Sequence, residues 1–387
     1  MVARKGYKLT EVGEIPEDWE IHPIESLCSI TTGSRNTQDS VDDGAYPFFV
    51  RSQTVEKINS YSFDGEAVLT AGDGVGTGKI FHYINGKCDV HQRVYLMSHF
   101  SDNLLGYYFF LHFSTNFYDR VMKMTAKSSV DSVRREMIAR MPIPVPSIVE
   151  QIAIATALSD ADALIDALEQ SIVKKRQIKQ GAMQELLTGK KRLPGFAGKW
   201  RKNQFCELAY PGRNRFTPSI KQTHEFCIEL EHIGQGTGIL LGYTQTTKMS
   251  SLKSIFEIDD ILFGKLRAYL RKYWRANRAG VCSTEIWVLK PFVENVTSGY
   301  LYQLVQTNLF VESASTAYGT HMPRSDWRVV KDLEVKLPPT LEEQTAIANI
   351  LSDMDDEIAA LEAKLAKARQ IKIGMMQELL TGRIRLV

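Results

Sequence analysis

Residues 264–278 hold the densest group of side chains able to bind a polyanion. Lys265, Arg267, Arg271, Lys272, Arg275 and Arg278 alternate with Tyr269, Tyr273 and Trp274, and no acid interrupts them. Cations neutralise phosphates, and an arginine fork also matches the two acceptors of guanine in the major groove. The same composition fits a solvated charged strand pair beside core aromatics.

A second suggestive stretch is Gly72-Asp73-Gly74-Val75-Gly76-Thr77-Gly78-Lys79. It fails as a nucleotide phosphate loop, because Asp73 stands where that motif needs glycine and Ile80, not Ser or Thr, follows the lysine. It fails as a dinucleotide fingerprint because Thr77 replaces the third glycine. Two readings remain: a flexible loop that lets backbone approach DNA, or a plain hairpin turn. Lys79, Gln92, Arg93, Lys127, Arg134 and Arg135 are the polar candidates around it.

Catalytic signatures are missing. Adenine methylation would need an Asn/Asp-Pro-Pro-aromatic loop, and none occurs. A nuclease reading of Glu334-Val335-Lys336, with Asp326 or Asp332 upstream, competes with an ordinary edge strand; metal-assisted cleavage needs converging carboxylates that the sequence does not display. The five cysteines form no Cys-x-x-Cys pair and the eight histidines no metal-binding spacing. Structural zinc and a disulfide framework are therefore not expected.

The chain has 387 residues, 44% hydrophobic and 24% charged, which suits two or three folded domains. A net charge of +2 does not advertise a nucleic-acid binder, so local distribution matters more than the sum. No apolar run reaches a membrane span, and residues 1–19 carry no apolar leader core; a cytoplasmic protein without membrane contact is expected.

The elements that must position these groups are duplicated. Residues 150–193 and 343–386 align without a gap at a constant offset of 193, with 28 identities in 44 positions. Each copy opens on a Ser/Thr-x-x-Glu capping box, Ser147 to Glu150 and Thr340 to Glu343. Each closes on Thr-Gly, at Gly189 and Gly382, suited to a left-handed cap. Ser159-Asp160 and Ser352-Asp353 predict a second cap that splits each copy into a short helix and a long one. Heptad spacing runs through Ile165, Leu168, Ile172, Ala182 and Leu186, with Lys175 and Lys179 interrupting. It recurs through Ile358, Leu361, Leu365, Ala368, Met375 and Leu379, with Lys372 interrupting. Fainter echoes relate the rest: Trp19, Ile24 and Leu27 share the spacing of Trp200, Phe205 and Leu208, and Gly86-Lys87-Cys88 is like Gly280-Val281-Cys282.

The order is therefore variable domain (1–146), helical repeat (147–196), variable domain (197–338), helical repeat (339–387). The helices leave one domain and return from the other, which predicts an antiparallel coiled coil with pseudo-twofold symmetry and two equivalent surfaces for two copies of one partner. A helix from about 160 to 188 would span roughly 43 Å, comparable with the roughly 34–36 Å between half-sites on one face of duplex DNA. The basic runs Lys174-Lys175-Arg176 and Lys190-Lys191-Arg192 fit either phosphate tracking or, better, a solvated helix face.

The layout, the proline-rich lead-ins at 141–147 and 335–340, the Glu-Gln starts (Glu150-Gln151, Glu343-Gln344) and the Gln-Glu-Leu-Leu-Thr-Gly ends (184–189, 377–382) resemble the S subunit of type I restriction-modification enzymes. The likeness spans nearly the whole chain. It is strong in the helical repeats and at 264–274, and weaker in the first variable domain. It implies an α+β protein with two mixed α/β target-recognition domains separated by two long antiparallel helices. It implies double-stranded DNA as ligand, each domain reading half of a split, asymmetric site, with His321 and Arg324 in a further contact-prone loop. Two adenine methyltransferase (M) subunits, which carry the S-adenosylmethionine, and restriction (R) subunits are the implied partners; no cofactor is expected in this chain. The competing readings are a coiled-coil scaffold that binds only proteins and a stand-alone nuclease with an unrecognised centre.

Overall fold

The computed structural model describes residues 4–124, 132–218, 223–247, 251–316 and 323–386. The chain forms two compact units, Met1–Glu169 with Ala363–Val387, and Gln170–Glu362. Each consists of a mixed α/β head and segments of two long helices.

The long helices are Ile148–Leu186 and Leu341–Leu379. Both are continuous, which corrects the expected break at Ser159-Asp160 and Ser352-Asp353. No Gly or Pro lies there to remove a helical hydrogen bond, and the serines bond head side chains instead. Ser159 meets the Tyr107 hydroxyl, and Ser352 Oγ accepts from Gln303 Nε2 at 3.5 Å. Each helix has 39 residues, so it extends about 58 Å rather than the shorter span read from the sequence.

The helix starts also differ from the expected capping box. Ser147 and Thr340 accept the Glu150 and Glu343 amides, each at 3.3 Å. The glutamate carboxylates do not return to the cap. Both are fully buried, Glu150 under Trp19 Nε1 (3.0 Å) and Arg385 Nη2 (2.8 Å), Glu343 under Trp200 Nε1 (3.4 Å) and Arg192 Nη2 (2.6 Å). At the far ends Gly189 and Gly382 take φ of 71° and 66°, the left-handed cap that glycine adopts without strain.

Within each unit the two helices run antiparallel. In the first, Asp162 meets Lys372, and Glu169 meets Arg369. In the second, Asp355 meets Lys179 and Glu362 meets Arg176. Ile172, Leu186, Ile358 and Leu379 are buried, and Ile165, Leu168, Leu361 and Leu365 are half-buried. Leu186 and Leu379 extend into the head cores, beside Phe205 and Leu208 and beside Trp19 and Ile24 respectively.

The first head carries a six-stranded sheet in the order Ser29–Thr32, Val94–Ser98, Phe63–Ala71, Phe81–Val90, Tyr46–Phe49, Glu56–Ile58. The helix Gly106–Met124 covers it, its Phe109, Phe113 and Phe117 stacked at helical spacing. Among the described residues the second head has two four-stranded sheets. One is Ala209–Pro211, Ile286–Pro291, Ile261–Gly264, Tyr273–Arg275; the other is Arg215–Phe216, Lys253–Phe256, Gly280–Ser283, Cys227–Ile228. The ten-residue strand Phe81–Val90 of the first head corresponds to two shorter strands here, Tyr273–Arg275 and Gly280–Ser283, and that break divides the sheet.

The lead-in to each long helix pairs with the start of its own head: Pro142–Val145 with Glu20–Pro23, and Glu334–Leu337 with Arg201–Gln204. Among the described residues no helix is long and apolar enough to cross a membrane.

Candidate nucleic-acid interface

One backbone frame recurs in both heads. In the first, Ala71 ends a central strand opposite Val94. The chain then turns, Gly72 N donates to Arg93 O at 2.8 Å, and Val133 N donates to Gly72 O at 2.7 Å. Asp73 bridges Ser132. In the second, Gly264 ends the matching strand opposite Ile286. Lys265 N donates to Glu285 O at 2.8 Å, Ser325 N to Lys265 O at 2.9 Å, and Leu266 bridges Arg324. The residues at 72–80 and 265–272 are therefore equivalent loops. Each is tied to the turn before the next sheet strand and to the segment before a short helix.

The side chains on this common frame differ. Position 73 is an acid where 266 is Leu; 93 is a base where 285 is an acid; 132 is Ser where 324 is Arg. In the first head Arg51 Nη1 donates to Asp73 Oδ1 at 2.9 Å, and Arg93 Nη1 lies 3.6 Å from Asp73 Oδ2. In the second, Arg324 Nε lies 3.1 Å from Glu285 Oε2. Burial holds the Lys265 ammonium below its usual pKa, opposed by Glu285 and reinforced by Arg324 and Arg215. Two heads of one architecture thus present two different charge patterns.

A family model for the type I restriction modification DNA specificity domain matches residues 16–180 and 237–370, more than half of the chain. The chain belongs to this specificity family. It is similar to the type I restriction enzyme EcoDI specificity subunit of Escherichia coli, 24% identical over 375 residues, spanning 87% of this chain and 82% of that protein. It is equally similar to a putative type I restriction enzyme MjaX specificity subunit of Methanocaldococcus jannaschii, 24% identical over 432 residues and 98% and 97% of the two chains. Its fold is like that of the S subunit of a type I restriction-modification system from M. genitalium (TM-score 0.64, 15% identity, 96% and 97% covered).

For a specificity protein, the positions of the sequence candidates matter. Around the first loop, Gln92 Nε2 donates to Asn36 Oδ1 at 2.5 Å and Lys79 lies 4.4 Å over the Tyr118 ring. Arg134 is exposed just after Val133, so with Arg93 all four belong to the frame. Gly74, Gly76 and Gly78 all have positive φ, and Thr77 Oγ1 donates to Gly74 O, making a compact turn with Val75 exposed at its tip. Lys127 and His321 lie outside the described residues.

The second head divides its basic run. Lys265, Arg267 and Arg324 sit on the frame with the exposed ring of Tyr269. The other candidates have partners within the head, with Arg275 and Arg278 still exposed. Arg271 donates to Gln306 O (2.9 Å) and Asn308 Oδ1 (2.6 Å), Lys272 to Leu230 O (2.5 Å), and Arg275 pairs with Asp259 (2.7 Å). Arg278 stacks 3.9 Å over Phe226. Arg51 and Arg215 escaped sequence reasoning. Neither lies in a motif, and pairing across the sheets brings them to the frame.

Two acids of the nuclease reading are held by other partners. Glu334 pairs with Lys202 at 2.7 Å, and Asp326 caps a short helix while pairing with Arg328. Members of the basic runs in and after the first long helix are ion-paired: Lys175 with Glu357, Arg176 with Glu362, and Arg192 with Glu343.

Proposed function

We propose that the chain reads a bipartite, asymmetric duplex site, one half by each head, and holds two adenine methyltransferase subunits and the restriction subunits on that site without catalysing a reaction itself. The recurrent frame carries this reading. Two surfaces with the same backbone hydrogen bonds but differently placed charges suit two different half-sites read in the same manner.

On this reading residues 1–146 and 197–338 are the target-recognition domains, and the repeats at 147–196 and 339–387 are matched platforms for two copies of one partner. S-adenosylmethionine then belongs to the methyltransferase partners, and the complex works in the cytoplasm.

The test is methylation-aware sequencing of a methylation-free host expressing the chain with its methyltransferase. A split motif with methyladenine in each half is expected. Replacing residues 1–146 by another such domain should change one half only. Absence of a motif, or change in both halves, overturns the reading. Turnover of DNA by the purified chain alone would overturn the non-catalytic role.

A further inference from the structure

Each candidate interface contains an acid where a polyanion would bind. Asp73 is 26% exposed, yet the arginines it engages, Arg51 and Arg93, are 42% and 64% exposed. Glu285 is 28% exposed and its partner Arg324 is 61% exposed. In both heads a recessed carboxylate holds guanidinium groups that still face solvent.

A carboxylate here repels phosphate, so an arginine tied to one is a poor counterion. What the pair preserves is geometry. Asp73 Oδ1 accepts a hydrogen bond from Arg51 Nη1 at 2.9 Å, while Arg93 and Arg324 are held by ion pairing at 3.6 and 3.1 Å; a guanidinium confined in this way keeps most of its planar N–H groups free for another partner. Fixed planar donors serve recognition of the two acceptors on a guanine edge, whereas a phosphate needs only charge. The turn bearing Arg93 is fixed as well. Buried His91 accepts the Arg93 backbone N–H on Nδ1 at 2.9 Å. Among the described residues, Lys79, Arg134 and Arg267 on the same frames have no acidic partner, which leaves their charge available for phosphates.

We propose that Arg51 and Arg93, positioned by Asp73, read guanine in the half-site of the first head, and that Arg324, positioned by Glu285, reads guanine in the other half. The assignment rests on the DNA-reading function proposed above.

The test uses the chain in complex with its methyltransferase, reading both the methylated motif and the salt dependence of binding to duplex DNA. Arg51→Lys and Arg93→Lys keep the charge and lose the planar fork. Each relaxes discrimination at a guanine in one half by about tenfold or more, with the salt slope unchanged. Arg324→Lys does the same in the other half only. Lysine variants that keep the full motif, or alanine variants that flatten the salt slope without altering the motif, make these phosphate contacts and overturn the proposal.

Asp73→Asn separates positioning from folding. It should relax the same half as Arg51→Lys while strengthening binding to non-specific DNA, because a repelling charge is gone. A folding defect would weaken both, and that result or an unaltered motif removes the positioning role. If the unaltered complex yields no split motif, the DNA reading falls and takes this assignment with it; a motif that survives every variant overturns the assignment alone.

Discussion

Lys179 and Asp355 form an ion pair between the long helices of the second unit, Nζ 2.6 Å from Oδ1, and Lys372 and Asp162 form its counterpart in the first. The positions are one pair written twice, each residue displaced by the repeat offset of 193 with the helices exchanging roles. Lys179 interrupts the apolar seam, as Lys175 does, and also donates to Gln306 Oε1 at 2.9 Å. Burial raises the Asp355 carboxyl pKa and Lys179 opposes that rise. A slide of one heptad would separate every such charge from its partner, so the pairs select the antiparallel register.

Lys179→Met alone strands a largely buried carboxylate. Asp355 is 32% exposed, which keeps the expected loss near about 2 kcal/mol, below that of a fully buried pair. The double variant Lys179→Met with Asp355→Leu should recover most of it. Urea unfolding of the four proteins in the cycle measures the coupling, expected at about 1 kcal/mol or more. Additive single effects would mean that the seam gains nothing from the pair.

The buried glutamates predict an asymmetry. Glu343 is fully buried, whereas the side chain of its partner Arg192 is 27% exposed. Removing the arginine leaves a carboxylate that solvent cannot reach; removing the glutamate leaves a guanidinium that it can. Arg192→Ala should therefore cost about 3 kcal/mol or more and Glu343→Gln about 1–2 kcal/mol. The reverse order in urea unfolding would show that Trp200, also bonded to Glu343, governs the site instead.

The helical repeat was legible because its identities and offset are intact, and the offset alone aligns Lys179 with Lys372. The partners were not, since only the antiparallel register places Asp162 against Lys372. Ser159-Asp160 signalled a helix cap because such residues compete for backbone amides, but the fold gives the serine a head partner. The run 264–278 looked like one basic surface. Arg267 and Arg271 both adopt left-handed backbone, with φ of 53° and 51°, and beyond the intervening turn the cations Arg271, Lys272 and Arg275 take partners within the head. Arg51 follows the buried residues Phe48, Phe49 and Val50 with no local signature. Only sheet pairing brings it to Asp73.

That division separates two kinds of arginine. Arg267 is exposed and, among the described residues, its guanidinium has no partner, whereas Arg271 bonds Gln306 and Asn308. Arg267→Ala should lower the slope of log affinity against log salt by about 0.9, the value for one phosphate contact, and leave the unfolding midpoint in place. Arg271→Ala should cost about 1–2 kcal/mol of stability, lowering the midpoint, with little change in slope. A midpoint shift in the first or a slope change in the second would reassign that residue.

His112 should make the first head acid-sensitive. It lies on the inner face of Gly106–Met124, and burial pushes its pKa down to about 4. A depressed folded pKa means that the unfolded chain takes up the proton first. Stability is complete above the ordinary histidine value of about 6.5 and falls as pH drops from there toward 4. At pH 5 the loss from this group should be about 2 kcal/mol relative to pH 7.5. His112→Leu removes the titration, and because Nδ1 has no partner among the described residues the substitution should not forfeit a hydrogen bond there. Hydrogen exchange of the Phe63–Ala71 amides at the two pH values reports opening of this head. Wild type should lose protection more steeply than His112→Leu, and equal slopes would mean that the buried imidazole accepts its proton without penalty.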